Sequence, residues 1–228
     1  MKHVIQAARL QNLSRMTFIG IPAIIFVGTF LLNLAIFFVI PGDGPKYSGA
    51  VQAVIWYLTG VGVQAMSLNF PFSQAMSITR KHFYLGTLLV AGITTASVAL
   101  LFTVMAGLEE ATGGWWRNGV MFRIPGIWSQ GPVIAFLIWF VLSSLLFLLG
   151  FLGATVYRRW GVTALVSASL VLGLVLVGAV FLITKLEAWG SIWTWFANTS
   201  ALGLALYGLA AVVVLAALIY LPLRRATP

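Results

Sequence analysis

The sequence has no cysteine and very few charged residues. Among 228 residues there are four Asp and Glu, thirteen Lys and Arg, and two His, so only 7% of the chain is charged. Without cysteine the chain has no disulfide and no thiolate chemistry. Soluble domains are about one quarter charged, so this composition excludes an ordinary soluble fold.

Long apolar runs make up most of the chain, which is 61% hydrophobic. A helix needs roughly 20 residues to cross about 30 Å of hydrocarbon. Six runs have about this length and cover residues 17–40, 49–69, 83–106, 132–156, 161–183 and 201–221. They leave no room for a separate soluble domain. The sequence therefore predicts an all-α integral membrane protein with six transmembrane helices, in which residues 1–228 form one polytopic domain.

The few charges are divided unequally between two sets of loops. The even-numbered gaps and both tails contain basic residues and no acid, namely Lys2, Arg9, Arg15, Arg80, Lys81, Arg158, Arg159, Arg224 and Arg225. The odd-numbered gaps are balanced and contain Lys46, Arg117, Arg123 and Lys185 with Asp43, Glu109, Glu110 and Glu187. Excess Lys and Arg near span ends marks the cytoplasmic side, so both termini are expected there. Topology and contact with the lipid bilayer explain the basic charge without a nucleic-acid partner.

The predicted spans contain no ionisable residue away from their ends. Carriers coupled to protons or sodium usually need such groups at membrane depth. No phosphate-binding glycine loop and no metal-ligand spacing occur either, so we expect no enzyme activity, metal or cofactor in the chain itself. The costliest polar residues to bury are Asn33 and Gln64. For Asn33, helix–helix hydrogen bonding and a place in a substrate path are both open.

The segments outside the spans also carry patterns. Residues 1–16 alternate apolar and polar side chains, which indicates an amphipathic helix at the headgroup level, with a disordered basic tail as the alternative. Residues 41–45 are rich in Pro and Gly and predict a tight outer turn. Residues 107–131 combine aromatic residues with Gly and Pro, which favours a re-entrant or interfacial hairpin. Small residues recur at four-residue spacing, as in Gly92 with Ala96 and Gly150 with Ala154, and they allow close helix approach.

The most informative cytoplasmic gap is residues 69–86. Pro71 can begin a new helix there. One face of that helix would be largely apolar and would comprise Phe72, Ala75, Met76, Thr79 and Phe83. Such a helix could fill a groove on a partner protein. Alternatively, this gap is a basic turn that Arg80 and Lys81 anchor to lipid.

Four stretches of the chain resemble small bacterial ABC exporter permeases. These are Phe-Pro-Phe at 70–72, Ser-Ile-Thr-Arg-Lys-His-Phe-Tyr-Leu-Gly-Thr at 77–87, Glu-Glu-Ala-Thr-Gly-Gly-Trp at 109–115 and Val-Tyr-Arg-Arg-Trp-Gly at 156–161. The nearest set is the six-span permeases of the type-two exporter class, particularly actinobacterial ones. Span number and cytoplasmic termini agree with this resemblance.

The resemblance implies that the gap between spans two and three is a coupling helix docking on a cytoplasmic ABC ATPase. Its candidate contacts would be Phe72, Gln74, Ser77, Arg80, Lys81 and His82. Arg158 and Arg159 would be either a second cytoplasmic contact or only a topology signal. ATP and magnesium would belong to the ATPase, and a second copy or a sister permease would complete the transporter.

These features predict the permease subunit of an exporter in a bacterial plasma membrane. Its substrate would be hydrophobic or amphipathic: a drug, a peptide or a lipid. The alternative is a membrane anchor or sensor that recruits a cytoplasmic partner without transport.

Overall fold

The computed structural model describes residues 16–42 and 44–224, which are mainly helical. Within these ranges the α-helices are α1 (Ile21–Val39), α2 (Ala53–Gln64), α3 (Phe70–Ala75), α4 (Arg80–Ala111), α5 (Pro125–Trp128), α6 (Pro132–Lys185), α7 (Trp189–Asn198) and α8 (Ala201–Leu223). π-helical turns occupy Met16–Gly20 and Ala65–Asn69, and a 3-10 turn occupies Ala50–Gln52. The segment Gly114–Asn118 is an irregular turn in which Trp115 and Trp116 are left-handed, with φ of 59° and 58°. Two short strands, β1 (Lys46–Tyr47) and β2 (Gly119–Val120), pair in parallel.

Within residues 16–42 and 44–224, four helices are long and apolar enough to cross a membrane: α1, α4, α6 and α8. The chain is therefore an all-α membrane protein, and the paired strands are a local link between two loops. The second apolar run is divided between α2 and the turn Ala65–Asn69. The fourth and fifth runs are joined in α6, which departs from helical geometry at Gly161, where φ is 83°. The predicted amphipathic helix of residues 1–16 lies almost wholly outside the described residues.

The first half of α6 is the centre of the bundle. It packs against α2, α4 and α8. All buried residues of α6 lie between Ala135 and Thr155, whereas residues 162–185 are mostly exposed. The hydrophobic core is therefore built around the first half of α6, and the second half of α6 contributes almost no buried residue.

The closest helix contact joins α2 and α6. A methyl group added to Gly62 would overlap the carbonyl oxygen of Phe147, and one added to Gly150 would overlap that of Thr59. Glycine lets the two backbones touch here, as is common in membrane helices. The close approach expected at Gly150 is confirmed, whereas the one expected at Gly92 is not found, since a methyl group added there would meet nothing within 4 Å.

Candidate functional sites

The predicted amphipathic helix between the second and third spans is shorter than expected. α2, the turn Ala65–Asn69 and α3 follow one another without a gap, and α3 ends at Ala75. Ser77 then adopts a left-handed conformation with φ of 57°. The hydroxyl of Thr79 caps α4 by accepting a hydrogen bond from the backbone N–H of His82 at 3.3 Å. The chain therefore turns between α3 and α4. The prediction of one continuous helical face from Phe72 to Phe83 is wrong.

The predicted apolar face is exposed at Phe72 and Met76, but its last residue, Phe83, is not part of it. Phe72 and Met76 are each 53% exposed, as a docking surface requires. Phe83, however, is 1% exposed and stacks edge-on against Phe70, with ring centroids 5.2 Å apart. The left-handed turn breaks the helical spacing on which the prediction depended.

The polar candidates of this loop differ in what they contact. Ser77 and Lys81 are exposed. The amide nitrogen of Gln74 donates to the carbonyl of Ile78 at 3.0 Å, which closes the turn. The ring Nδ1 of His82 lies 2.8 Å from the Thr79 hydroxyl. Thus Gln74 and His82 hold the loop in shape, while Lys81 belongs to its exposed surface together with Phe72.

Arg158 is an interhelical hydrogen-bond donor. Its Nη2 donates to the carbonyl oxygen of Ser67 at 2.6 Å. Proline has no N–H, so Pro71 cannot donate to the carbonyl four residues earlier, which is that of Ser67. The guanidinium group supplies a donor in its place and ties the start of α3 to α6. This contact is a structural role beyond a topology signal.

Arg80 and Arg159 lie at the end of α8. Nη1 of Arg80 donates to the carbonyl of Arg224 at 2.7 Å, and Nη1 of Arg159 donates to that of Leu221 at 3.4 Å. Cations near a helix C-terminus are favourable because they face its carbonyl groups. We call the end of the bundle that carries Arg80, Arg158, Arg159 and Arg224 the arginine face.

The two candidate substrate-path residues lie in different helices, Asn33 in α1 and Gln64 in α2. Asn33 is 5% exposed; its amide nitrogen donates to the Thr29 carbonyl at 2.7 Å and its oxygen accepts from the Ser48 hydroxyl. These bonds fix α1 to the loop before α2. Gln64 is half-buried at the last position of α2. A role of either residue in a substrate path stays a prediction.

Sequence reasoning missed Lys46 as a structural residue. Its ammonium group is buried and donates to the carbonyls of Phe37 and Ile40, both at 2.9 Å. The cation thus caps the C-terminus of α1. On the next strand, Gly119 lies against the ring of Phe37, where a side chain would overlap it. The signal in the sequence is a basic residue soon after an apolar run, a position from which it can cap the C-terminus of that helix.

Glu109 is the second missed residue and the most completely satisfied polar group described. It is 0% exposed at the end of α4, which runs past the predicted end of the third span. Its carboxylate accepts hydrogen bonds from the backbone N–H groups of Met121 (2.8 Å), Phe122 (2.9 Å) and Arg123 (3.2 Å), and from the indole of Trp115 (3.3 Å). Nε of Arg123 lies 3.9 Å away and balances the charge.

The α4–α6 segment, residues 112–131, folds back onto the bundle. Phe122 is buried among the rings of Phe26, Phe30 and Phe102, with centroid distances of 5.9, 6.2 and 5.3 Å. Trp116, in contrast, is exposed. The hairpin expected over residues 107–131 is therefore a partly buried cap. We call this end of the bundle the capped face.

The described part of the chain holds no group of three His, Asp or Glu side chains that could bind a metal ion. The charged residues of residues 16–42 and 44–224 lie at or near the two ends of the bundle.

No family model, curated protein or solved structure matches the chain. The class that the fold defines is a helical membrane protein with a capped face and an arginine face. Its resemblance to exporter permeases stays a prediction.

Proposed function

We propose that the chain is the transmembrane permease subunit of an ABC exporter, driven by a separate cytoplasmic ATPase. The observation that carries the proposal is the exposed surface of Phe72, Met76 and Lys81 on the arginine face. Phe and Met are enriched at protein-binding surfaces, so the exposed side chains of Phe72 and Met76 support the proposal, and Lys81 adds a charge at the polar edge of that surface. We call these three residues the docking surface.

The proposed topology has six crossings, with the arginine face in the cytoplasm of a bacterial cell. Residues 53–75 are helical without a gap, which is long enough for one crossing. α6 has 54 residues, or roughly 80 Å at 1.5 Å per residue, more than twice the hydrocarbon thickness. A change of direction at Gly161 allows it to cross twice. The cytoplasmic excess of basic residues then follows the usual rule for membrane proteins.

The docking surface is connected to the core of the bundle. Arg158 ties the start of α3 to α6, and Phe70 stacks on Phe83 of α4. Movement of α3 by a partner would therefore pass to both helices. Because the spans carry no ionisable group, we infer that the energy comes from ATP and magnesium bound by the partner. Two copies of the chain, or this chain and a sister permease, would form the substrate path.

The test is co-purification with the ABC ATPase encoded beside this chain, followed by ATPase measurement. In the double variant F72A/K81E we expect at least tenfold weaker association, since truncating an aromatic hot spot costs about 2 kcal/mol or more, and a tenfold change corresponds to about 1.4 kcal/mol. The matched control is F196A/K185E, which makes the same changes at exposed positions elsewhere. Arg80 is left intact because it also caps α8.

Equal association of F72A/K81E and wild type would contradict the docking surface. The alternative function, an anchor or sensor subunit, is distinguished from transport by the response to candidate substrates. Stimulation of ATPase activity by hydrophobic or amphipathic compounds in proteoliposomes supports transport. A stable complex that no such compound stimulates and that accumulates none supports the alternative.

A further inference from the structure

Three arginines from three helices meet at one end of α8. Arg80 begins α4, Arg159 lies in α6, and Arg224 follows α8 directly. Arg80 and Arg159 donate to the carbonyls of Arg224 and Leu221, so both guanidinium groups lie at the last turn of the same helix. In the part of the chain that the structure describes, each makes one side-chain hydrogen bond. A guanidinium group has five N–H donors, so each keeps donors for another acceptor.

Acidic side chains do not balance this cluster. Glu109 and Glu110 are at the other end of α4, about 45 Å from Arg80 at 1.5 Å per residue. Glu187 follows the far end of α6. The sequence has four acids in all, and the fourth, Asp43, lies outside the described residues. Among the described residues no acidic side chain lies at this end of α8, so Arg80 and Arg159, together with Arg224 at the end of the helix, can take an anion from outside the chain.

The surroundings of the cluster favour a lipid as the source of that anion. The indole ring of Trp160, which is half exposed, lies under the Arg159 guanidinium at 4.1 Å. Tryptophan at a helix end is typical of the membrane–water interface. Leu218 and Leu221 of α8 are half exposed beside the same turn and offer apolar surface to acyl chains. A free anion would use the cations but not this apolar surface.

We propose that Arg80, Arg159 and Arg224 form a binding site for the headgroup phosphate of an anionic phospholipid. Guanidinium groups bind phosphate through paired N–H donors, and basic pockets between helices at a membrane surface are known to hold such headgroups. Bound lipid would join the ends of α4, α6 and α8. The proposal does not depend on transport, because the chain alone carries the site.

The test uses the purified full chain in delipidated micelles, titrated with phosphatidylglycerol or with phosphatidylcholine. Binding is measured by native mass spectrometry and by the shift in thermal unfolding midpoint. We expect phosphatidylglycerol to bind and to raise the midpoint, and phosphatidylcholine to do neither. The double variant R159Q/R224Q should bind about 25-fold more weakly, roughly fivefold per arginine. The control R117Q/K185Q, with the same charge change away from the cluster, should bind like wild type.

Two further measurements separate weaker lipid binding from a loss of folding. R159K/R224K keeps both charges and should retain most of the binding, and the lipid-free midpoint of each variant reports its folding separately. Equal binding of the two lipids, or equal loss in R117Q/K185Q, would overturn the site. Complete competition by millimolar inorganic phosphate would overturn the assignment to lipid. None of these outcomes bears on ATPase association, which is tested separately with the variant F72A/K81E.

Discussion

The carboxylate of Glu109 shows how one side chain can organise a segment of more than a dozen residues. A buried charge is costly unless it is paired and hydrogen-bonded. Here three consecutive backbone N–H groups, one indole N–H and the Arg123 guanidinium surround it. The same carboxylate gives these donors an acceptor away from water. Its bonds cross from α4 to the far part of the α4–α6 segment, so it holds the cap closed on the bundle.

We predict that Glu109→Ala destabilises the protein by at least about 3 kcal/mol, because it leaves buried donors without an acceptor. Glu109→Gln, which keeps one carbonyl oxygen, should cost less. The control is Glu110→Ala, an exposed carboxylate that bonds to Trp128 and should cost under about 1 kcal/mol. Reversible unfolding in mixed micelles measures all three. Similar losses for Glu109→Ala and Glu110→Ala would contradict this account.

Among the helices, the contact between α2 and α6 depends on backbone shape. Gly62 and Gly150 allow carbonyl groups of the opposite helix to occupy the space of a side chain. Farther along, Arg158 of α6 donates to the carbonyl of Ser67 in the turn Ala65–Asn69, which joins α2 to α3. The two contacts fix α2 and α3 against the central helix, which is what a docking surface on α3 needs in order to act on the core.

Replacement of two glycines of α6 by alanine should have opposite effects. Gly150→Ala should destabilise by about 1–3 kcal/mol, since its methyl group overlaps the Thr59 carbonyl. Gly173→Ala meets nothing within 4 Å and should be neutral or stabilise by up to about 1 kcal/mol through helix propensity. Unfolding in mixed micelles provides the comparison. A neutral Gly150→Ala would contradict the close backbone contact between α2 and α6.

For the molecule as a whole, the two halves of α6 have different surroundings. Its first half is the core of the bundle, and its second half is exposed on nearly every side. An isolated apolar helix is stable in lipid because its backbone hydrogen bonds are internal. The second half can therefore cross the bilayer alone, which the proposed six-crossing topology requires.

The lack of cysteine makes the topology directly measurable. We predict that single variants R117C and K185C react with a membrane-impermeant maleimide on intact cells. K81C and W160C should react only after permeabilisation, because they lie on the arginine face. The cysteine-free chain is the control for background labelling. Labelling of K185C only after permeabilisation would contradict a second crossing by α6.

The sequence by itself determined the membrane class, the positions of the apolar helices and the loops that carry charge. These are local properties, because the length of an apolar run is compared with bilayer thickness without reference to other residues. Within the described residues, the helix positions agree with the runs to within a few residues at most ends. The exposure of Phe72 and the close approach at Gly150 followed from local pattern as well.

Only the tertiary structure decided what the polar residues do. The bonds of Glu109 to Phe122 and of Arg158 to Ser67 join residues that are distant in the sequence. The cluster of Arg80 and Arg159 at α8 likewise exists only once three helices have packed. Helical periodicity assigns a residue to a face, but it does not specify which atom of another helix meets that face. Because the chain has so few charges, these contacts between helices decide whether a charged side chain stabilises the fold or is available to a partner.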